Sequence, residues 1–229
     1  MSTPIIQLEH VKKTYKDSNI TVNALKDVNL SVSEGEIVFI MGPSGSGKST
    51  TLHIISFLDT PTDGKRIFMG KDMSRLSEKE AAQIRKQWFG FVFQEFNLLP
   101  ELTVWENIAL PIRNLDKKTQ KNRITQALEY VGLSDKAHRL AYQLSGGERQ
   151  RASIARAIAS QARIVVMDEP TGNVDSETEK YIAQMIIDIN NKMKTTFIIA
   201  THSMRLVNSI PSRIIHIEDG RIPSSGAIL

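Results

Sequence analysis

The 229-residue sequence contains no cysteine, which excludes disulfides and thiolate metal centres and is compatible with a reducing compartment. It also lacks any apolar run approaching the roughly 20 residues that would cross a bilayer, so work at a membrane is expected to go through a partner. Met1-Ser2-Thr3-Pro4 has none of the charged-then-apolar pattern of a secretory leader, and no leader is expected. An excess of one charge is missing too. The 29 Lys and Arg against 25 Asp and Glu leave +4, with the basic residues scattered among acids, so no nucleic acid partner is expected. Internal repeats and low-complexity linkers are absent. What remains, 41% apolar and 24% charged residues, suits one large globular domain with a substantial core.

The stretch that organises this chain is Gly42-Pro43-Ser44-Gly45-Ser46-Gly47-Lys48-Ser49, the G-x-x-x-x-G-K-[ST] pattern of a phosphate-binding loop. An apolar run, Ile37 to Met41, precedes it, and Thr50-Thr51-Leu52-His53-Ile54-Ile55 follows as a helix, the strand–loop–helix order that the chemistry needs. Gly42, Gly45 and Gly47 let the backbone wrap closely round a phosphate with its N–H groups inward, and the helix start adds its positive dipole end. Lys48 is expected to reach the β- and γ-phosphates and the Ser49 hydroxyl to ligate Mg²⁺. The chain is therefore expected to bind a nucleoside triphosphate.

Strands are expected at Ile5 to Val11, Ala24 to Val32, Lys65 to Met69 and Gly90 to Phe93, with a capping box at Ser77 and Glu80 starting a polar helix to about Gln87. From Phe96 to about Gln143 the texture is helical. Thr103 and Glu106 form a second capping box, Pro111 stops that helix, and Ile124, Leu128 and Val131 fall at helical spacing before Gly132. Strand signals return at Ile164 to Met167, Thr196 to Ala200 and Arg213 to Ile217, with a tight turn at Asp219-Gly220 and a helix over Glu177 to Lys192. Strands alternating with helices imply a mainly parallel sheet with a helical insertion in its middle.

Ile164-Val165-Val166-Met167-Asp168-Glu169-Pro170 reads as a buried strand delivering two carboxylates at its C-terminal end, where α/β sheets place ligands. Asp168 is expected to hold Mg²⁺, and Glu169, one residue nearer solvent, to orient and polarise an attacking water. In Leu144-Ser145-Gly146-Gly147-Glu148-Arg149-Gln150, a helix start explains Ser145 as N-cap and Glu148 as its capping-box partner. It does not explain Gly146-Gly147, which weaken a first turn unless something must approach the backbone. A serine hydroxyl with glycine N–H groups at a helix N-terminus is an anion site, the second in the chain.

These three motifs, with Gln94 between them and His202 after, resemble the ATP-binding subunits of ABC transporters over nearly the whole chain. More narrowly, Ile40 to Thr50, Leu58-Asp59-Thr60-Pro61-Thr62, Gly90 to Gln94 and Asn97-Leu98-Leu99-Pro100 resemble the LolD/MacB-type branch. The resemblance implies a single ATPase domain over residues 1–229. Its fold would be an α/β RecA-like P-loop core with an N-terminal antiparallel β subdomain and a helical insertion near 95–160. It implies a homodimer with ATP held between one subunit's Gly42–Thr50 and the other's Ser145, Gly146, Gly147 and Glu148. Gln94 is assigned to Mg²⁺ and water sensing, His202 to the γ-phosphate, Tyr15 to stacking on adenine, and Gly172-Asn173-Val174-Asp175 to the dimer seam. Ser203 stands where the family often has an acid. The implied activity is ATP hydrolysis driving dimer closure and opening, on the cytoplasmic face of the membrane. The integral permease-type subunit is expected to dock near residues 95–107, where many large apolar residues follow Gln94. A membrane complex that transmits force without moving a substrate, and a soluble ABC ATPase, remain open alternatives.

Overall fold

The computed structural model describes residues 4–17 and 20–223, and the backbone of 227–228. Two sheets form. β1 (Ile6–Asp17), β2 (Ile20–Val32), β4 (Asp63–Phe68) and β5 (Lys71–Asp72) make an antiparallel sheet in the order β2-β1-β4-β5. The second sheet runs β10-β9-β3-β8-β7-β6, built from β3 (Ile37–Met41), β6 (Phe89–Val92), β7 (Ile164–Asp168), β8 (Thr196–Thr201), β9 (Arg213–His216) and β10 (Ala227–Ile228). All its pairings are parallel except that of β10 on the β9 edge.

The central parallel strands β3, β7 and β8 are apolar apart from their ends because both of their faces are covered. Ile37, Phe39 and Met41 of β3, Val165 and Met167 of β7, and Phe197 and Ile199 of β8 join one core. The alternate residues Val38, Ile40, Ile164, Val166, Ile198 and Ala200 join another, as a period of two requires. The first core lies under α3 (Val104–Ala109), α4 (Lys117–Tyr130), α5 (Gly146–Ala159) and α6 (Ser176–Met193). The second is closed by the antiparallel sheet with α1 (Lys48–Ile55) and α2 (Glu78–Trp88), and α7 (Met204–Asn208) bridges β8 to β9. Sheet, sheet and helices thus stack as three layers. The helical run between β6 and β7 is continuous with the first core. Its α5 comes so close to β6 that a Cβ on Gly90 would lie 2.7 Å from the Ala157 carbonyl oxygen.

Register places the site. Pairing of Met41 with Thr201, Asp168 with Ala200, and Val92 with Met167 brings the C-terminal ends of β3, β8, β7 and β6 to one edge. The phosphate loop, Asp168-Glu169, Gln94 and His202 therefore emerge side by side. β3 lies between β8 and β9, so its loop is flanked by the exits of both.

The first two strands differ from expectation. β1 continues to Asp17 and β2 starts at Ile20, because residues 12–17 and 20–23 form a ribbon with almost no buried residue. With neither face buried, such a ribbon has no apolar–polar alternation to betray it. β6 lies one residue earlier than read, at Phe89–Val92. The capping boxes at Ser77/Glu80 and Thr103/Glu106 form, a 3-10 turn containing Pro111 ends α3, and Gly132 takes φ +62 just past α4. The turn at Asp219-Gly220 forms as well, with φ of +46 and +71.

Candidate functional site

A cavity of about 780 Å³ opens along this edge, lined by Ser44, Gly45 and Gly47 to Thr50 of the phosphate loop, by Gln94, Glu169 and His202, and by Val22, Asn23, Ala24 and Asp219. Its floor is the N-terminus of α1. Gly47 is the N-cap, with no side chain satisfying the first-turn amides and no acid in that turn. Gly47 adopts φ +108, and a Cβ there would strike Leu25 and the Ala24 carbonyl at 2.8 and 2.9 Å. At Gly42 a Cβ would sit 2.1 Å from the Ile217 carbonyl. These glycines are thus required by the loop's own packing between β2 and the segment after β9. Ser46 Oγ, among the described residues, is buried without a hydrogen-bond partner, and its carbonyl accepts from Gly220 N at 2.9 Å. Pro43 holds the loop through its carbonyl, which accepts from Ser46 N at 3.2 Å and from Lys48.

Lys48 is 8% exposed. Its ammonium donates to the Gly42 and Pro43 carbonyls at 2.9 and 3.1 Å and stands 3.9 Å from Glu169 Oε1. Glu169 adopts φ +46, an uncommon backbone state for a side chain of its size. Its Oε1 lies 3.0 Å from His202 Nδ1, and its Oε2 accepts from His202 N at 3.3 Å. The acid is well covered while the imidazole is mostly exposed to the cavity. Burial pushes the Asp168 carboxyl above the ordinary range, a hydrogen bond from Ser49 opposes that, and neighbouring Glu169 adds to it. Asp168 Oδ1 is buried without a partner.

Hydroxyl, carboxylate and amide oxygens from Ser49, Asp168 and Gln94 suit a hard divalent cation, and the unpartnered Asp168 oxygen is the kind of group one would satisfy. Among the described residues no three His, Cys, Asp or Glu side chains could hold an ion unaided, so such a cation would need phosphate oxygens. The site residues thus fit Mg²⁺ accompanied by a nucleotide.

Tyr15 does not itself line the cavity. Its cross-strand partner Val22 lines the cavity, its hydroxyl donates to Asp59 Oδ2 at 2.8 Å, and Lys13 lies 4.9 Å over its ring. Burial first, then the bond to Asp59, raises the phenol's pKa. The Gly172–Asp175 segment lies beside the site: Asn173 Nδ2 donates to the Gln94 carbonyl, and Gly172 N to the Glu169 carbonyl.

None of Ser145, Gly146, Gly147 or Glu148 lines the cavity. Ser145 caps α5: its Oγ accepts from Glu148 N at 3.3 Å and its N donates to Glu148 Oε2 at 2.9 Å. Lys136 pairs with Glu148 and is the main reason its carboxyl sits below the ordinary range. What approaches the two glycines is the chain itself. Cβ atoms at Gly146 and Gly147 would meet the Asn173 carbonyl at 3.2 Å and Thr178 Cγ2 at 2.9 Å. Packing against the start of α6 therefore supplies a reason for Gly146-Gly147 that the sequence did not show.

The sequence reading also missed Val22, Asn23, Ala24 and Asp219. The exposed ribbon gave Val22 and Asn23 no pattern, although Ile20-Thr21-Val22 has β-branched composition, and Ala24 was legible as a strand start but not as a neighbour of the phosphate loop. Asp219 was legible as a turn residue but not as a neighbour of the phosphate loop. Its carboxylate is held low by Lys26 Nζ at 2.5 Å.

A parallel-sheet edge carrying a phosphate loop, an acidic strand end and a facing histidine defines a P-loop nucleoside triphosphatase. The family model described as "ABC transporter" matches residues 25–172. An "Uncharacterized ABC transporter ATP-binding protein" of Thermotoga maritima is 43% identical over 220 residues, covering 95% of this chain and 93% of that protein. The "Macrolide export ATP-binding/permease protein MacB" of Bdellovibrio bacteriovorus is 39% identical over 96% of this chain, which spans only 34% of MacB. A solved dimer, the ATP-binding cassette MJ0796 in a post-hydrolysis state bound to ADP and Pi, superposes with a TM-score of 0.87 at 39% identity, covering 95% and 96% of the two chains. The chain belongs to the ABC transporter ATP-binding family, and its activity is ATP hydrolysis.

Proposed function

We propose that this chain powers an integral membrane partner by closing as a homodimer on ATP and reopening after hydrolysis. The observation that carries the shared site is that Ser145 to Glu148 lie outside the cavity holding Lys48, although both groups offer anion-binding helix ends. One chain therefore supplies half of each site, and a second chain completes it, in keeping with the dimeric MJ0796 cassette.

Within this reading, the triphosphate lies over the N-terminus of α1 with Tyr15 against the adenine. Lys48 leaves the Gly42 and Pro43 carbonyls for the β- and γ-phosphates, where a desolvated ammonium opposes their charge most strongly. Ser49, Asp168 and Gln94 would hold Mg²⁺, which would supply positive charge against the phosphates. Glu169, steadied by His202, orients the attacking water and takes its proton, while the exposed edge of His202 faces the γ-phosphate. Glu169→Gln is expected to keep ATP affinity and cut turnover by a factor of about 10² to 10⁴. Steady-state hydrolysis and nucleotide binding on the same sample check this, and near-normal turnover removes Glu169 from the role.

The partner surface is narrower than 95–107. Val104 and Asn107 are buried, Asn107 bonding the Leu99, Leu102 and Thr103 carbonyls, and Trp105 packs on the first core with its ring near His138. What stays open is a groove of about 290 Å³ between Glu95, Phe96, Leu98 and Pro100 on one side and Ala141, Tyr142 and Arg149 on the other. The reading places a helix of a permease-type subunit there, with this chain peripheral on the cytoplasmic side. The Bdellovibrio relative's name joins ATP binding and permease in one protein, and among the described residues no helix here is long and apolar enough to cross a membrane. Single cysteines at Asn97, Glu101 and Tyr142 are expected to cross-link to a membrane protein in vesicles. Cross-linking from Lys117 and Lys192 instead would place the contact elsewhere.

A further inference from the structure

Behind the Glu169–His202 contact lies a second one. Glu179 sits near the start of α6 and is 7% exposed. Its Oε1 accepts from Thr171 Oγ1 at 3.2 Å and from Ser203 Oγ at 2.5 Å, and its Oε2 from Arg205 Nη1 at 3.4 Å. Thr171 belongs to the loop that carries Glu169, in which Gly172 N donates to the Glu169 carbonyl at 3.2 Å. Ser203 directly follows His202, is tied to Thr201 Oγ1 through its own N–H, and caps α7 by accepting from Leu206 N.

The contacts close a ring. Glu169 touches His202 on the cavity side, and Glu179 joins the same two loops from behind. A buried acid is costly unless hydrogen-bonded, and the other buried residues that follow it on α6, Ile182, Ala183, Met185, Ile186 and Ile189, are apolar. An acid at this position is explained by what it receives, a hydroxyl from each loop and the Arg205 guanidinium from α7.

We propose that Glu179 is a positioning residue that locks the His202 loop in register with the Glu169 loop. The inference rests on the ATPase reading above and adds to it a residue outside the motifs. It also adds a route from the proposed seam to the chemistry. α6 is capped by Asp175, the last residue of the Gly172–Asp175 segment, so movement of that segment by a second subunit carries Glu179 and both loops with it.

The test is the ATPase kinetics of three variants beside wild type. Glu179→Ala is expected to lower kcat about 10- to 100-fold, the cost of slight misplacement at a reacting centre, with KM for ATP within about 3-fold. Ser203→Asp in the Glu179→Ala background returns a carboxylate to the same spot from the opposite side, because Ser203 Oγ lies only 2.5 Å from Glu179 Oε1. That double variant is expected to recover most of the lost kcat. Wild-type kcat in Glu179→Ala, or a loss that the double variant leaves untouched, overturns the proposal while wild-type hydrolysis upholds the ATPase reading. Absence of hydrolysis in wild type overturns both. If Glu179→Ala does not fold, Thr171→Val decides, since it removes one leg of the bridge at nearly constant volume. A fall in kcat of about 3-fold or more at unchanged KM and Tm supports the lock, and unchanged kcat overturns it.

Discussion

Two helix N-termini in this molecule look alike in sequence, each a serine- and glycine-rich turn into an amphipathic run, yet they are built in opposite ways. At α1 the N-cap is Gly47, which offers no side chain, and the first turn contains no acid. At α5 Ser145 and Glu148 form a complete capping box, and Lys136 pairs with the acid. The first end leaves its amides and dipole for a ligand. The second already holds an anion of its own, so a phosphate arriving there has to compete with the Glu148 carboxylate. The carboxyls beside the two ends are shifted in opposite directions. Asp168 is pushed up by burial, whereas Glu148 is held down chiefly by Lys136. In the proposed function the first end binds by itself, and the second contributes when another chain presents it to a nucleotide already held.

The sharpest way to break this contrast is to separate the two ends onto different chains. Lys48→Ala and Ser145→Arg proteins are each expected to be inactive alone, and mixing them should restore one intact site of two in every mixed dimer. Hydrolysis by dilute monomer at full specific rate, or no gain on mixing, would show that the ends do not share a site.

A smaller effect is expected from Glu148→Gln, which keeps the capping geometry while removing the competing charge. A charge at a helix end is worth about 0.3–1 kcal/mol, so half-maximal ATP-driven dimerisation should move to roughly two- to fivefold lower nucleotide concentration. Light scattering against ATP concentration in the Glu169→Gln background reads this directly, and a shift upward would mean that Glu148 itself contacts the partner's nucleotide favourably.

The smallest expected effects are on stability and its pH dependence. The folded protein binds a proton at Asp168 more readily than the unfolded chain, so this group's ionisation costs stability at neutral pH and the cost fades as pH drops through its raised pKa. Asp168→Asn should therefore melt at or slightly above wild type at pH 7, with the advantage shrinking on acidification. Glu148 works the other way. Its stabilisation is present above the ordinary carboxylate range and lost as pH falls through its lowered pKa, so Glu148→Gln should cost less than about 1 kcal/mol at pH 7 and nothing in acid. Thermal melts across pH distinguish the two, and parallel curves for both variants would contradict the contrast.

Much of the site was legible because its parts are contiguous. Gly42–Ser49 specifies a loop, and Ile164–Glu169 a buried strand ending in acids, through backbone sterics and hydrogen bonds that act within a few residues. The same locality made the capping boxes and the stop at Pro111 readable. The ribbon over residues 12–17 and 20–23 was not readable, because strand patterning appears only where one face is buried, and there almost nothing is.

The amino-acid sequence by itself therefore determined which chemical groups the proposed site offers a nucleotide: the loop, its lysine, the two carboxylates and the capped glycine turn. Only the tertiary structure decided which of them meet. Neighbour order in a sheet is set by packing summed over the whole chain, and here it places β3 between β8 and β9. That order brings His202 onto Glu169 and Asp219 onto the phosphate loop, and sets Glu179 behind the loops that carry Glu169 and His202. The same packing leaves Ser145 out of its own chain's cavity, because α5 spends its length against β6 and the helical core, pointing its capped end toward Asn173 and Thr178 instead.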